Sequence, residues 1–323
     1  VSVRIDISVI VASHERPLRL RWLLNALEEQ TLPRSRWEVI VGHDSAGPAT
    51  NELLSTHPLA RSGALRYVDI PPGTGTPGRN RNAAVKLARG ELLAFTDDDC
   101  RPPQQWLERA LEASQRFPGA IVQGRSEPDP DEWRATTAAH FYSQYILDPP
   151  GPHAEACNII YPRTLFSQLD GFDEEMEVGE DTDLMLRARR AGASYVGDQD
   201  VLTFHAVHEQ TLLDRVRWSW RWRGLPRLLR ANPEFRSALH LRLFWKPTHP
   251  PLLQAMAGAI LARRRRGLAL LVLPWVVFTW PNHGTTLRGR LRSISELPGR
   301  LVVDASEIIA LAWGSLRYRT PFL

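Results

Sequence analysis

The chain is 323 residues long, with 43% hydrophobic and 24% charged residues. That balance excludes a disordered chain, and the length permits one large domain or a catalytic domain with a sizeable appendage. The net charge is only +4, but residues 205–266 hold Arg215, Arg217, Arg221, Arg223, Arg227, Arg230 and the four arginines Arg263 to Arg266 with few acids.

The first third alternates short apolar runs with helical patterns. ISVIVA (residues 7–12) reads as a buried strand, LRLRWLLNALEEQ (18–30) as an amphipathic helix, and WEVIVG (37–42) and LRYVDI (65–70) as two further strands. RNAAVKLARG (81–90) reads as a helix with Gly90 at its C-terminal cap. ELLAFT (91–96) is a fourth strand that runs into Asp97, Asp98 and Asp99. Strands alternating with helices predict an α/β fold with a mainly parallel sheet covered on both faces, and ligands of such sheets sit beyond the carboxyl ends of the strands. His14, His43, Asp44 and the three aspartates all fall there.

The middle third, residues 121–204, is less regular. RTLFSQLDGF reads as a short helix stopped by Gly171, and EDTDLMLRARRAG as another, acidic at its start, basic at its end and closed by Gly192. From about residue 212 the pattern is helical and rich in Arg and Trp, so composition divides the chain into domains at 1–210 and 211–323. Two cysteines, Cys100 and Cys157, make no disulfide framework, which fits a reducing compartment. The chain enters its first strand directly, leaving no room for a signal peptide. The expected location is cytoplasmic and peripheral, at the inner face of the membrane.

Three adjacent carboxylates repel one another, so solvent, the N-terminus of a helix starting at Pro102 or Pro103, or a bound cation must offset the crowding. Carboxylates at a strand end in a crevice suit Mg²⁺ or Mn²⁺, whose shells substrate phosphates complete. The second acidic group, Glu180, Asp181 and Asp183, has two readings. Acids in a first helical turn favour the macrodipole, and one of them could act as a general base on an acceptor hydroxyl.

Taken together, ISVIVASHERP, EVIVGHDSAG, GRNRNAAVKLARGELLAFTDDDCRPPQQWLE and CNIIYPRTLFSQLDGFDEEMEVGEDTDLMLRARRAG resemble the family-two glycosyltransferases of the GT-A fold, in order and spacing, over roughly residues 5–210. The resemblance implies a metal-dependent inverting transfer of a sugar from a nucleotide-diphosphate sugar to an acceptor hydroxyl, with Mn²⁺ or Mg²⁺ as cofactor. It places Ala12, Ser13, His14, Glu15 and Arg16 in the loop that cups the nucleotide, and Asp44 at the base or ribose. Arg81 of the Arg81–Asn82 pair falls near the nucleotide. Asp97 to Asp99 match the DXD element, with Asp99 the metal ligand and Asp97 or Asp98 nearer the ribose. Asp181 matches the catalytic base, supported by Glu180, and His205 a histidine that approaches the metal. His208, Asn158 and Trp133 are candidates for acceptor or sugar contact. The chain departs from the family pattern at His43, Ala84 and Asp170. Rival readings are a nucleotidyltransferase, whose Gly-rich basic loop ASHERPLRL lacks, and a non-catalytic sugar-nucleotide-binding relative.

The C-terminal third alternates arginine with tryptophan in RVRWSWRWRGLPRLLR, and sets four arginines before an apolar run, residues 267–280, interrupted by Pro274. That run is shorter than the roughly 20 residues that span a bilayer. It suits a helix lying in the membrane interface, a helix packed on the catalytic domain, or an oligomer contact. A lipid-linked or polysaccharide acceptor would be consistent with it. Nucleic acid is not an expected partner, because the acidic crevice would repel the backbone. LVVDASEIIALAWGSLRYR reads as an amphipathic or packing helix.

Overall fold

The computed structural model describes residues 4–138, 141–281 and 283–323. They form two compact units. One holds residues 4–138 and 142–208, and the other Phe141 with residues 209–323.

In chain order the elements of the first unit are β1 (Ile7–Ser13), α1 (Pro17–Glu28), β2 (Trp37–His43), α2 (Pro48–Thr56), α3 (Pro58–Arg61), β3 (Leu65–Asp69), α4 (Pro77–Val85), β4 (Leu92–Asp97), β5 (Cys100–Arg101), α5 (Trp106–Arg116), β6 (Ile121–Pro128) and α6 (Trp133–Ala138). There follow β7 (Phe141–Ser143), at the junction of the units, β8 (Asn158–Pro162), α7 (Arg163–Gln168), α8 (Glu180–Arg190) and β9 (Tyr195–His205), with β10 (His208–Gln210) leading into the second unit. Eight strands make one sheet in the order β3-β2-β1-β4-β8-β6-β9-β5. β3, β2, β1 and β4 run parallel, and β8 enters antiparallel between β4 and β6. This is the mainly parallel, helix-flanked α/β sheet of the GT-A fold.

The strands form here because their residues are buried on both faces, so apolar runs replace alternation. Ile7, Val9, Ile10, Val11, Val39, Ile40 and Val41 are all fully buried. α1 covers one face through Leu20, Leu23, Leu24 and Leu27, a helical stripe that is completely inaccessible and contributes about 2 kcal/mol per side chain.

Two helix starts differ from expectation. α4 begins at Pro77, with Thr76 Oγ1 accepting the Arg79 N–H at 3.1 Å, and it ends at Val85 rather than near Gly90. Proline is favoured in the first turn of a helix, so the Pro-Gly pair opens the helix instead of preceding it. α5 begins at Trp106, not Pro102 or Pro103, because Cys100 and Arg101 first pair antiparallel with His205 and Phe204 of β9.

The register of β6 against β9 slips between Gly124 and Arg125. The buried Asn158 amide fills the break, donating to Arg125 O at 2.8 Å and Val201 O at 2.7 Å, while its oxygen accepts Trp106 Nε1 at 3.0 Å. A Cβ on Gly124 would meet Val201 O at 2.2 Å, so this close approach requires glycine.

The second unit carries α9 (Leu212–Ser219), α10 (Leu225–Ala231), α11 (His249–Leu261), α12 (Leu273–Thr279) and the 32-residue α13 (Leu287–Tyr318). Leu252, Ala255, Trp275 and Ile308 form a small core that joins α11, α12 and α13. Residues 267–280 are not one helix: a 3₁₀ stretch (Arg266–Val272) precedes α12. Among the described residues no helix is long and apolar enough to cross a membrane.

Candidate active site

The carboxyl ends of β1, β2 and β4 lie level, with Ala12 paired to Gly42 and to Asp97, and Ser13 to His43. α4 presses against this edge so closely that a Cβ on Gly42 would stand 2.1 Å from Asn80 O. Asn80 Nδ2 then reaches Asp44 Oδ1 at 3.1 Å, and Asp44 also accepts Gly75 N at 3.1 Å and meets His14 Nδ1 at 2.9 Å. Glu15, at φ 52°, turns the loop after β1, and its N–H donates to Ser45 Oγ at 2.9 Å. His43 is buried, with Nε2 2.8 Å from Asp69 and its ring 6.1 Å from that of Tyr67.

The three aspartates are not a solvated turn. Asp98 and Asp99 are 4% and 8% exposed, and the nearest helix starts well beyond them, so cationic and hydroxyl partners offset the crowding. Ser13 Oγ donates to Asp98 at 2.7 Å, and Arg16 reaches Asp99 at 2.7 Å and Asp98 at 3.4 Å. Burial, and then the neighbouring Asp99 charge, push the Asp98 carboxyl up to about 7. Burial acts on Asp99 too, but there the hydrogen bond from His208 and the charges of His205 and Arg16 win, holding it well below the usual carboxylate range.

His205 ends β9 and His208 opens β10. His205 Nε2 stands 3.4 Å from Asp99 Oδ1, and His208 Nε2 2.8 Å from Asp99 Oδ2. Ala206 N donates to Asp99 O at 3.0 Å, tying the two segments together. Tyr145 stacks on the His205 ring at 5.0 Å. Asp99, Cys100 and His205 offer atoms close enough for one cation. Burial pushes the Cys100 thiol up. Asp99 and His205, with His208 on the other carboxylate oxygen, present oxygen and nitrogen donors to such a cation.

Arg81 links this group to the second acidic site. Its guanidinium donates to Asp97 at 2.7 Å and to Glu180 at 2.9 Å, over the face of Phe172 at 5.6 Å. Burial works against its charge, but Asp97, Glu180 and Asp181 more than compensate and raise its pKa. Asp181 is the second residue of α8, whose N-cap Gly179 sits at φ 81°. Its Oδ1 accepts Thr182 N at 2.8 Å and its Oδ2 accepts Ala156 N at 3.4 Å. Burial first, then Glu180 and Glu155, push the Asp181 carboxyl well up. Part of its surface stays accessible, as a proton acceptor requires.

The structure thus brings together Ser13, His14, Glu15, Arg16, Asp44, Arg81, residues 97–99, Glu180, Asp181, His205 and His208 around one sheet edge. Asn158 is different: it is inaccessible and its amide is committed to the strand slip, so it has no group left for a sugar. Trp133 is exposed at the start of α6. The turn before it is pinned to the histidine segment by Glu132 Oε2 accepting Val207 N at 2.7 Å. Asn80, Tyr145 and Glu155 belong to the site and carry no motif; only the three-dimensional arrangement reveals them.

The family model "Glycosyl transferase family 2" matches residues 8–170, half of the chain. The chain belongs to glycosyl transferase family 2. Relatives in the family include glycosyltransferase AglE of Haloferax volcanii, 27% identical over 62% of this chain and 66% of its own length, slightly under two thirds. Succinoglycan biosynthesis protein ExoM of Rhizobium meliloti is 27% identical over 76% and 77%. The fold matches that of the Pyrobaculum calidifontis mannosyltransferase PcManGT, solved with GDP-Man and Mn²⁺, with a TM-score of 0.59 at 20% identity over 96% of this chain and 87% of that one. It also matches Staphylococcus aureus TarS 1–349 with UDP-GlcNAc, with a TM-score of 0.53 at 16% identity over 98% and 93%.

Proposed function

We propose that the chain transfers a hexosyl group from a nucleotide-diphosphate sugar to an acceptor hydroxyl, with inversion at the anomeric carbon and dependence on a divalent cation. The observation that carries this is the Arg81 bridge, 2.7 Å to Asp97 and 2.9 Å to Glu180, which ties the donor-side carboxylates to the residue beside the candidate base Asp181. The family and the nucleotide sugars held by the PcManGT and TarS structures support the donor class.

Asp44, with His14 and Asn80 around it, would receive the base or ribose, and the loop from Ala12 to Arg16 would cover it. Asp99, His205 and His208 would hold Mn²⁺ or Mg²⁺, which neutralises charge on a diphosphate leaving group. The Arg16 side chain is 44% exposed, so it can turn from Asp99 to the diphosphate. Asp181 accepts the proton of the acceptor hydroxyl as that oxygen attacks the anomeric carbon and the bond to the diphosphate breaks. The burial that, with Glu180 and Glu155, raises the Asp181 pKa makes its ionised form a stronger base than a free carboxylate. A lipid-linked or polysaccharide hydroxyl fits the acceptor role.

The test is calorimetric titration of UDP, GDP and the other nucleoside diphosphates with and without Mn²⁺, followed by transfer assays on D181N. We expect one diphosphate to bind tightly only with metal, and D181N to bind it unchanged while losing about a hundredfold or more in transfer. Equal transfer by D181N and parent would remove Asp181 from the mechanism.

A further inference from the structure

The second unit concentrates charge and exposes apolar surface in a way that transfer chemistry does not use. Residues 209–323 contain 19 Arg and Lys against six Asp and Glu, a net charge of +13, while residues 1–208 carry −9. After Glu234 only three acids remain, Glu296, Asp304 and Glu307, all on α13 and all buried. Each has an internal partner. His283, Arg292 and Arg300 meet Glu296 at 2.8–3.1 Å, Trp275 Nε1 donates to Asp304 at 3.1 Å, and Lys246 meets Glu307 at 2.7 Å.

α13 buries its three acids beside Val303, Ile308 and Leu311, and turns a second set of aliphatic residues outward. Leu287, Leu291, Ile294, Leu301, Ile309 and Leu316 recur at intervals of three, four and seven to eight residues, and all are exposed. That spacing is one side of a helix, and 32 residues extend it over about 48 Å. α11 and α12 repeat the pattern. They pack on α13 through Leu252, Ala255 and Trp275, yet Ile260, Leu270, Val277 and Phe278 stand 63–72% exposed. The four exposed arginines Arg263 to Arg266 lie between them in the chain. A monomer rarely leaves this much aliphatic surface in water unless something covers it.

We propose that the second unit docks through these exposed residues on an anionic lipid bilayer, with the aliphatic side chains in the interfacial layer and the arginines at headgroup phosphates. Charge complementarity selects this occupant, because every exposed charged side chain after Glu234 is basic. A second copy of the chain would bring a second unit of the same +13 charge against this one, so like charges would oppose that dimer. Nucleic acid would neutralise the arginines but give the aliphatic stripe nothing to bury against.

The experiment is co-sedimentation of the full chain with phosphatidylcholine vesicles, with and without phosphatidylglycerol, at several salt concentrations. Donor and metal are left out, so the readout is independent of the transfer reaction. Binding should need the anionic lipid and weaken with salt. At about fivefold per arginine, R263S/R264S/R265S/R266S should bind on the order of a hundredfold or more weakly. I309D and L301D replace exposed residues and should also weaken binding, with circular dichroism and thermal midpoint unchanged. Equal partitioning onto neutral and anionic vesicles would overturn the proposal. So would a dimer abolished by I309D with no vesicle binding, or tight binding of single-stranded nucleic acid in place of vesicles.

Discussion

Replacing Arg81 with methionine removes the cation between the two acidic groups while keeping most of the side-chain volume. Arg81 is 5% exposed and Glu180 6%, so Glu180 would stay buried without its counterion. Breaking such a buried pair costs about 3–5 kcal/mol. The Asp97 side chain is 30% exposed and water screens its share, which puts the expected loss near the low end, about 3 kcal/mol. For a unit of roughly 200 residues this lowers the melting midpoint by about 6–12 °C. The same change acts on catalysis, because the Arg81 charge favours the ionised form of Asp181. Without it the Asp181 pKa rises further, and a base is active only when deprotonated, so the acid limb of the transfer rate moves to higher pH. Thermal denaturation by circular dichroism and a pH–rate profile read both effects. R81K, which keeps the charge but not the two-pronged geometry, should recover part of each. An R81M protein that melts with the parent and has an unmoved acid limb would refute the bridge as described.

Three further outcomes are expected. D99N should abolish the metal-dependent part of nucleotide affinity, and H208A should weaken it by about tenfold or more, both read by calorimetry with and without Mn²⁺. N158A should orphan Arg125 O, Val201 O and Trp106 Nε1 and cost about 2–4 kcal/mol in urea unfolding, while folded protein still binds nucleotide. Glu38 is 1% exposed, and Ser8, Arg66 and Arg89 hold it below the usual carboxylate range despite its burial. Its stabilisation is present above the unfolded value of about 4.3 and is lost as pH falls through the lower folded value. Thermal midpoints should therefore fall more steeply below pH 4 for the parent than for E38Q, and parallel curves would argue against the effect.

The parallel half of the sheet was legible because its strands are buried on both faces and read as unbroken apolar runs. The start of α5 was not legible, since Cys100 and Arg101 join a strand more than a hundred residues away and nothing local signals that pairing. Asp97 to Asp99, Arg81 and the Glu180–Asp181 pair could be found because their motifs keep order and spacing. The contact of Arg16 with Asp99, the support of Asp44 by Asn80 and the stacking of Tyr145 on His205 depend on tertiary packing and leave no pattern in the chain. Asn158 shows the converse. Its neighbourhood suggested a sugar contact, yet the polar demand of a strand slip had already claimed its amide. The outward aliphatic face of α13 was hidden by Asp304 and Glu307, which on sequence alone mark a face as wet.

Because β8 runs antiparallel beside β4, with Thr96 opposite Asn158, the segment leading into β8 arrives at the same edge from which the aspartates depart. The loops carrying Arg16, Asp44 and residues 97–99 follow strands, while this segment precedes one. Residues 144–157 can therefore change in length or sequence without shifting the registers of β1, β2 and β4. Exchange of that segment would leave those registers in place while changing what stacks on His205, now Tyr145, and what holds Asp181, now Ala156 N.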